Sequence, residues 1–481
     1  MCWCALRALC TERQTMNNPD PGRVLVIGLD SAPPELVFDR WRDDLPNLRR
    51  LMATGAYAPL KSTVPPITVP AWTAMMSGMD PGTLGFYGFR NREGYTYTGL
   101  RIANSEAVQH PRVWEILSRH RRRVVVLNVP QTYPPVPVNG CLVSGFLTPD
   151  TSCNYTYPAD LKYELDATAG GYEIDVAGFR TEDKARLLED IHRVTGKHFA
   201  VARRLVCSRA WDFFMMVEMG PDRIQHGFWK HFDEQHRKHD PRSPFKNAIR
   251  KYYQRLDTEI GRLLALAGPR TTVLVVSDHG AQRMDGGLCI NEWLIEKGYL
   301  VLNAMPDEPR RLAPDDVDWS RTVAWGEGGY YSRVFLNVAD REPMGTLARA
   351  DYEAMRARLA REIAAICDEN GTPLGSVVFR PEDVYSQVNN IAPDLIVYPG
   401  NLAWRSVGSI GIGSHITYDN DSGPDDANHG EYGIFIASGP DVPPAGAIAA
   451  LDIRDVAPTI LNLLDVPGAA AMQGRAICWD K

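Results

Sequence analysis

The stretch TTVLVVSDHG at residues 271–280 indicates the fold class, because a continuous apolar run ends directly in polar and charged residues. A strand with one face in solvent would alternate apolar and polar side chains, whereas a continuous run is typical of a strand covered on both faces. We therefore predict a buried strand over Thr272–Ser277. Comparable runs occur at Val24–Leu29, Val124–Asn128, Phe213–Val217, Leu395–Tyr398 and Gly433–Ala437.

Helical patterns separate these runs. Asp183–Cys207 and Phe245–Ala267 carry apolar residues at helical spacing, and Pro46–Ala53 has a proline in its first turn and a glycine just beyond its end. Helices are also predicted over Met344–Cys367 and Asp455–Leu464. Strands that alternate with helices along the whole chain indicate an α/β protein with a mostly parallel sheet.

The composition is that of an ordinary globular protein, with 481 residues, 44% hydrophobic and 23% charged. The net charge of −7 argues against a protein held to nucleic acid by general electrostatic attraction, so no stable nucleic-acid complex is expected. No run approaches the roughly 18 apolar residues of a membrane span, so no membrane association is expected either. Nine cysteines without a Cys-x-x-Cys pair favour a reduced, cytoplasmic protein.

The domain organisation follows from where strand candidates are dense. Residues 1–19 have too short an apolar part for a secretory signal and are predicted to be a disordered extension. Residues 20–475 are predicted to form a single catalytic domain. Strand candidates are sparse at about 148–182 and 300–385, which we interpret as cap or insertion segments.

Acidic residues and histidines lie at the predicted strand ends, where ligand sites form in open parallel sheets. Alone, such residues are more often helix caps or solvated loop residues. Their joint occurrence at strand ends favours one shared crevice. The residues are Asp30, Asp222, His226, Asp278, His279 and His429.

The spacing of these residues favours a dinuclear metal site. Asp222 and His226 would share one face of a helical turn, whereas the adjacent Asp278 and His279 would point in different directions. Three crowded carboxylates repel one another unless cations lie between them. Two divalent cations carry a total charge of +4, and the three carboxylates carry −3. One alkoxide or phosphate oxygen would balance the remaining positive charge.

A candidate nucleophile lies in TVPPITVPAWTAMMSG at residues 63–78. Thr68 stands between two proline turns, just before a helix predicted to open near Ala71. Backbone N–H groups at a helix N-terminus favour an anion there. The alternative is that Thr68 is an ordinary capping threonine.

Taken together, the motifs resemble the alkaline phosphatase superfamily, and within it the type I phosphodiesterase/nucleotide pyrophosphatase branch. That resemblance implies a three-layer α/β/α sandwich. It implies one metal ion held by Asp222, His226 and His429, and a second held by Asp30, Asp278 and His279, with Thr68 as ligand and nucleophile. The motifs are GLD at 28–30, PPITVPAW at 65–72, PDRIQH at 221–226, SDHG at 277–280 and NHG at 428–430.

The chain departs from the family pattern at one point. In the nucleotide pyrophosphatases, a phosphate-binding asparagine lies in a short loop after the nucleophile helix, and Phe89 occupies its place here. Arg90 or Asn91 is the candidate substitute. A cationic Arg90 would favour a dianionic monoester, whereas a neutral asparagine suits a diester.

The resemblance implies a phosphoric ester hydrolase that cleaves a phosphodiester or pyrophosphate bond of a small phosphorylated substrate such as a nucleotide. The alternatives are a phosphomonoesterase acting on a small metabolite and a phosphotransferase or mutase of the same superfamily. Mixed Asp/His ligands suit two zinc ions, with manganese or iron as alternatives. The sequence leaves the oligomeric state open.

Overall fold

A ten-stranded sheet forms the centre of the computed structural model, which describes residues 22–478. Its middle strands are parallel, and Tyr432–Ser438 runs antiparallel to both of its neighbours. The prediction of a mostly parallel sheet is therefore confirmed. In order, the strands are Gly446–Ala447, Ala56–Lys61, Tyr432–Ser438, Thr271–Val276, Arg23–Leu29, Phe213–Glu218, Val124–Val129, Gly140–Ser144 and Thr156–Tyr157, with Leu451–Asp452 also pairing with Ala56–Lys61.

Helices cover both faces of this sheet. Successive residues of the first strand point to opposite sides, so Leu25 and Ile27 enter one core while Val24 and Val26 enter another. This is the predicted three-layer sandwich. The first core is covered by Pro46–Thr54, Leu161–Ala169, Lys184–Ser208, Gly220–Phe232 and Ala248–Ala267, and the second by Thr68–Ser77, Val113–Arg119 and Val456–Leu463.

A smaller antiparallel sheet stands apart from the central one and has its own core. The run Leu395–Tyr398, predicted as a strand like those of the central sheet, belongs here instead. The strands, in order, are Ala324–Glu327, Ser332–Leu336, Leu395–Tyr398 and Val377–Phe379, and helices Ile290–Glu296 and Tyr352–Ala364 pack on the same core.

Short elements complete the fold. Two of the short strands, Gly280–Arg283 and Ala427–Gly430, pair beside the candidate site. The other short pairings are Arg90–Arg92 with Leu100–Ile102, Arg310–Arg311 with Ser409–Ile410, and Gly286–Cys289 with Trp404–Val407 and Ile416–Thr417; the short helices are Pro81–Leu84 and Pro381–Val384.

One predicted helix is shorter than expected. Met344–Cys367 was expected to be helical throughout, but the helix begins at Tyr352. The backbone at Met344 is held in a loop, since its N–H donates to the Tyr97 hydroxyl (3.0 Å) and its carbonyl accepts from the Asn337 amide (3.0 Å). Side-chain hydrogen bonds of this kind compete with helix formation.

The remaining predicted segments are placed as follows. The predicted extension at 1–19 lies outside the described residues. Segment 148–182 contributes Thr156–Tyr157 to the sheet edge and Leu161–Ala169 to the first core. Within residues 22–478, no helix combines the length and the apolar character needed to cross a bilayer.

His236 makes folding sensitive to acid. Burial lowers its pKa to about 4, and its Nδ1 accepts a hydrogen bond from the Lys238 backbone N–H (3.0 Å). Since the folded pKa lies below the unfolded value, its stabilising contribution is full above about pH 6.5 and is lost as the pH falls toward 4. We expect His236→Asn, which keeps an acceptor that does not titrate, to remove about 1 kcal/mol of the stability loss between pH 7 and pH 5.

Urea unfolding of both proteins at several pH values measures this difference. The same pH dependence in the wild type and in the variant would contradict the assignment.

Candidate functional site

The ends of three neighbouring strands supply most of the predicted site. Thr271–Val276, Arg23–Leu29 and Phe213–Glu218 are adjacent and parallel, so their carboxyl ends lie at one edge of the sheet. The third strand leads into helix Gly220–Phe232. The site residues that follow these ends are all buried, and they are Asp30, Asp222, His226, Asp278 and His279.

His429 reaches the same place from a distant part of the chain. It lies on Ala427–Gly430, which pairs with Gly280–Arg283 so that His429 faces Ala281. The His429 ring stacks on that of His279, with centroids 3.8 Å apart. The sequence prediction that His429 joins the crevice therefore has a structural basis in this pairing.

Asp222, His226 and His429 form a first group that could hold a metal ion. Their ligand atoms all lie within 4.8 Å of one another. Asp222 Oδ1 is 3.1 Å from His226 Nε2 and 3.7 Å from His429 Nε2. Asp222 and His226 are one turn apart in the helix, so they share a face as their spacing predicts.

A second group surrounds His279. The ligand atoms of Asp30, Asp222 and His279 also lie within 4.8 Å of one another. His279 Nε2 is 3.8 Å from Asp30 Oδ1 and 3.2 Å from Asp278 Oδ2. Asp278 and His279 thus converge instead of pointing apart as expected, because the chain turns after the strand and Asp278 Oδ1 accepts the Ser31 backbone N–H (3.2 Å).

Hydrogen bonds fix the tautomer of all three histidines. Nδ1 of His279 and Nδ1 of His429 lie 2.9 and 2.8 Å from backbone carbonyls, which can only accept. Nδ1 of His226 lies 2.7 Å from a carboxylate oxygen of Asp425. Each Nδ1 therefore carries hydrogen, and in the neutral ring each Nε2 presents a lone pair. This is how histidine ligands are oriented by their outer contacts in metal sites.

Each of the three aspartates in the site keeps one buried oxygen without a hydrogen bond: Oδ1 of Asp30, Oδ1 of Asp222 and Oδ2 of Asp278. Burial and the neighbouring Asp222 carboxylate raise the pKa of Asp30 well above its usual range, and burial and Asp30 do the same for Asp278. Carboxylate oxygens that face nitrogen lone pairs repel them unless a cation lies between. The donor set therefore fits two divalent cations.

The pKa values of the histidines agree with this charge distribution. Burial lowers the pKa of His279 to about 4, and burial with the neighbouring His279 lowers that of His429. Burial also disfavours a charged His226, yet its pKa is raised because Asp425 and Asp222 flank the ring. A positive charge is thus favoured between His226 and Asp222.

Thr68 lies beside both groups. The helix Thr68–Ser77 begins at this residue, not near Ala71 as expected, because Ile67 is extended and Pro70 fits the first turn. The side chain is buried, and its Oγ1 lies 3.5 Å from His279 Nε2. The hydroxyl thus lies next to a candidate metal ligand, at the start of a helix whose first N–H groups have no partner within the helix.

Two residues that the sequence reasoning missed orient the aspartates. Trp72 Nε1 donates to Asp30 Oδ2 (2.7 Å), and Arg223 donates to Asp222 Oδ2. Each contact occupies one carboxylate oxygen and leaves the other facing the site. A signal was present, because Trp72 and Arg223 both lie within the motifs that carry the family resemblance.

Asp425 is a third missed residue, and it supports His226. Besides His226 Nδ1, its carboxylate accepts from Arg180 Nε (3.1 Å) and from the Tyr330 hydroxyl (3.2 Å). The Tyr330 ring stacks on His226 and on His429, with centroids 4.9 and 4.2 Å away. Asp425 and Tyr330 therefore fix the orientation of the histidine ligands.

We expect Asp425→Asn to lower kcat/KM roughly 10- to 100-fold, because a neutral amide holds the His226 tautomer less firmly. Steady-state kinetics with a diester substrate, together with metal content, measure the effect. The matched control is Asp419→Asn in the same loop, whose side chain is 93% exposed and should matter little. Equal activity of the two variants would contradict a supporting role for Asp425.

A cavity of about 410 Å³ is lined by Thr68 and His429, and also by Phe89 and Arg90. Asn91 is committed to its own turn, since its side chain accepts from the Tyr87 N–H (2.8 Å) and donates to the Gly88 carbonyl (3.0 Å). Of the two candidate substrate contacts, the structure thus brings Arg90 to the cavity and ties Asn91 to the loop.

The family model described as type I phosphodiesterase/nucleotide pyrophosphatase matches residues 24–430. That range includes every residue of the candidate site. The chain belongs to this family. It is therefore a phosphoric ester hydrolase of the alkaline phosphatase superfamily, and the sequence-based resemblance is confirmed.

Solved structures of the same fold include human ectonucleotide pyrophosphatase/phosphodiesterase 5, with 12% identity and a TM-score of 0.56 over 95% of this chain and 98% of that one. The murine counterpart has 11% identity and a TM-score of 0.56 at the same coverage. An inactive variant of the murine protein in complex with AMP has 12% identity and a TM-score of 0.57, again over 95% and 98% of the two chains. No curated protein sequence matches the chain.

Proposed function

We propose that the protein is a two-metal phosphohydrolase that cleaves a phosphodiester or pyrophosphate bond through a phospho-threonine at Thr68. One observation carries the proposal. Three histidine Nε2 atoms and three carboxylate oxygens without hydrogen bonds lie in one buried site, and the buried Thr68 hydroxyl lies 3.5 Å from His279 Nε2.

The two residue groups share Asp222, and Asp278 Oδ2 lies 3.2 Å from His279 Nε2 in the second group, which supports two ions. Bound divalent cations, proposed to be zinc with manganese or iron as alternatives, would lower the pKa of a bound hydroxyl and stabilise charge on the phosphoryl oxygens. The first ion would be held by Asp222, His226 and His429, and the second by Asp30, Asp278, His279 and Thr68.

Thr68 performs the covalent step. Oγ1 forms a bond to phosphorus as the bond to the leaving alcohol or phosphate oxygen breaks. The electron pair of that bond stays with the leaving oxygen, and the proton released by the hydroxyl passes through solvent to that oxygen. Water then attacks phosphorus, the bond to Oγ1 breaks, and Thr68 regains a proton. His279 is a weak general base, because burial lowers its pKa to about 4. Activation of the Thr68 hydroxyl would therefore depend on the cations that the site would hold.

The substrate class is the next part of the proposal. A murine relative of the same fold is known in complex with AMP, which supports a nucleotide diester or pyrophosphate as the first candidate substrate. The cavity of about 410 Å³ beside Thr68 offers room for a small phosphorylated molecule.

The proposal predicts chelator-sensitive turnover of diesters. We expect the enzyme to release nitrophenolate from bis-p-nitrophenyl phosphate, to lose this activity in a chelator, and to recover it when zinc is added. Chelator-insensitive turnover would contradict the proposal. Faster turnover of p-nitrophenyl phosphate would favour the phosphomonoesterase, and transfer to an added alcohol without phosphate release would favour the phosphotransferase.

A further inference from the structure

The cavity beside Thr68 contains more positive charge than the chemistry at Thr68 uses. The acidic residues that line it are Asp222 and Glu327. Phosphoester cleavage at the metal ligands needs no such excess of guanidinium groups. The arginines that line it are Arg90, Arg180, Arg223, Arg311, Arg333 and Arg405.

Protein carboxylates lie within ion-pair distance of four of these six arginines. Three of the four have a carboxylate oxygen at 3.6 Å or less. The pairs are Arg180 with Asp425 (3.1 Å), Arg223 with Asp175 (2.5 Å) and Arg311 with Glu327 (3.6 Å).

Arg405 is different, because its guanidinium is buried and its two ion pairs are too long to be hydrogen bonds. Its side chain is 5% exposed, yet Nε and Nη1 have no hydrogen bond. The nearest carboxylates, Asp421 at 3.7 Å and Asp425 at 3.8 Å, lie beyond hydrogen-bond distance. A buried donor without a hydrogen bond destabilises the folded protein, so these open donors favour an additional acceptor.

Arg333 and Arg90 extend the positive charge of Arg405 along the cavity wall. The buried Arg333 guanidinium donates to the backbone carbonyl of Arg90. Within residues 22–478, neither Arg333 nor Arg90 forms an ion pair with an acid. Arg405 lies over the Tyr330 ring, 5.9 Å from its centroid, and that ring stacks on His429. The Arg405 guanidinium is thus one aromatic ring away from the candidate metal ligand His429.

We infer that Arg90, Arg333 and Arg405 form a subsite for a second anionic group of the substrate, a phosphate or a carboxylate, separate from the phosphoryl group that is cleaved. The inference rests on the proposed function. Guanidinium groups bind such anions through charge-assisted hydrogen bonds, which are stronger than neutral ones and reward a partner that fills the open donors. The subsite would select substrates that carry charge on both sides of the scissile bond.

Three matched substrates test this selection. Each is a 4-nitrophenyl aryl phosphate with the same leaving group, and the aryl para position carries a methyl, a carboxylate or a phosphate. We expect kcat/KM to be about tenfold higher for at least one anionic substrate than for the methyl substrate. The carboxylate and phosphate arms identify which anion the subsite prefers. A ratio near one for both would overturn the inference.

Substitutions locate the effect. Arg405→Met and Arg90→Met should each lower the ratio of anionic to methyl kcat/KM toward one, and Arg90 is exposed, so its variant should fold normally. The control Arg321→Met removes an arginine whose side chain is 70% exposed and which does not line the cavity, so the wild-type ratio should remain. An unchanged ratio in Arg90→Met and in a folded Arg405→Met would overturn the assignment.

A binding measurement separates this inference from the proposed function. Calorimetry on Thr68→Ala, with 4-carboxyphenyl and 4-methylphenyl esters of phenylphosphonate, reports affinity without turnover. We expect about tenfold tighter binding of the carboxylate ester, lost on adding Arg405→Met. If the wild type hydrolyses no diester, the proposed function fails while this affinity ratio still decides the subsite. Equal affinities would refute the subsite even in an active enzyme.

Discussion

Thr68→Ala is expected to lower kcat/KM for diester hydrolysis on the order of 10³-fold or more, with the fold intact. The variant removes the atom that we propose forms the covalent intermediate, and losses of this size are usual when a nucleophile is removed. Alanine fits the first position of this helix, because it has the highest helix propensity of all residues. Steady-state kinetics measure the loss, and mass spectrometry of acid-quenched enzyme tests for phosphate on the Thr68 peptide.

Two variants control for indirect effects of this change. Thr68→Ser keeps a hydroxyl and should retain measurable turnover. Thr73→Ala removes a hydroxyl from the same helix that donates to Gln131, and it should lower kcat/KM only a few-fold. Thr68→Ala with near wild-type turnover, or a phosphorylated peptide that does not contain Thr68, would refute the covalent mechanism.

Chain connectivity explains why the position of the site could be predicted from the sequence. Asp30 and Asp278 directly follow strands, and parallel neighbouring strands end at one edge whatever the loops do. Asp222 and His226 share a helix, so a local rule places them together. These parts depend on local periodicity and on one general rule of sheet topology.

Other parts depend on contacts that no local pattern encodes. Asp425 is 199 residues from His226, the ring that it orients, and nothing near it in the chain marks that partner. The run Leu395–Tyr398 is as apolar as the central strands, but an apolar run does not specify which sheet it joins. The unfilled hydrogen-bond donors of Arg405 likewise become apparent only when every neighbouring carboxylate has been located.

Asp30→Asn is expected to change stability and activity in opposite directions. Without metal, the unpartnered Asp30 Oδ1 lies among other carboxylates, and burial and Asp222 raise its pKa. A group whose folded pKa is raised loses stability as the pH rises above its unfolded value of about 4, so the wild-type protein bears this cost at pH 7. An amide bears none and can donate a hydrogen bond, so metal-free Asp30→Asn should be more stable by about 1–3 kcal/mol at pH 7.

Metal should reverse the order of stability of the two proteins. An ion that binds the folded state stabilises it, and it does so more when the ion binds more tightly. With zinc present, the wild type should regain stability while Asp30→Asn gains much less, and kcat/KM of the variant should fall roughly 100-fold or more because a ligand is lost. Thermal unfolding of both proteins, with chelator and with zinc, measures the crossover. The control Asp43→Asn alters a carboxylate that is 91% exposed and should show none. If metal-free Asp30→Asn unfolds at a lower temperature than the wild type, the buried carboxylates do not repel one another enough to destabilise the protein. The electrostatic argument for two cations would then be wrong.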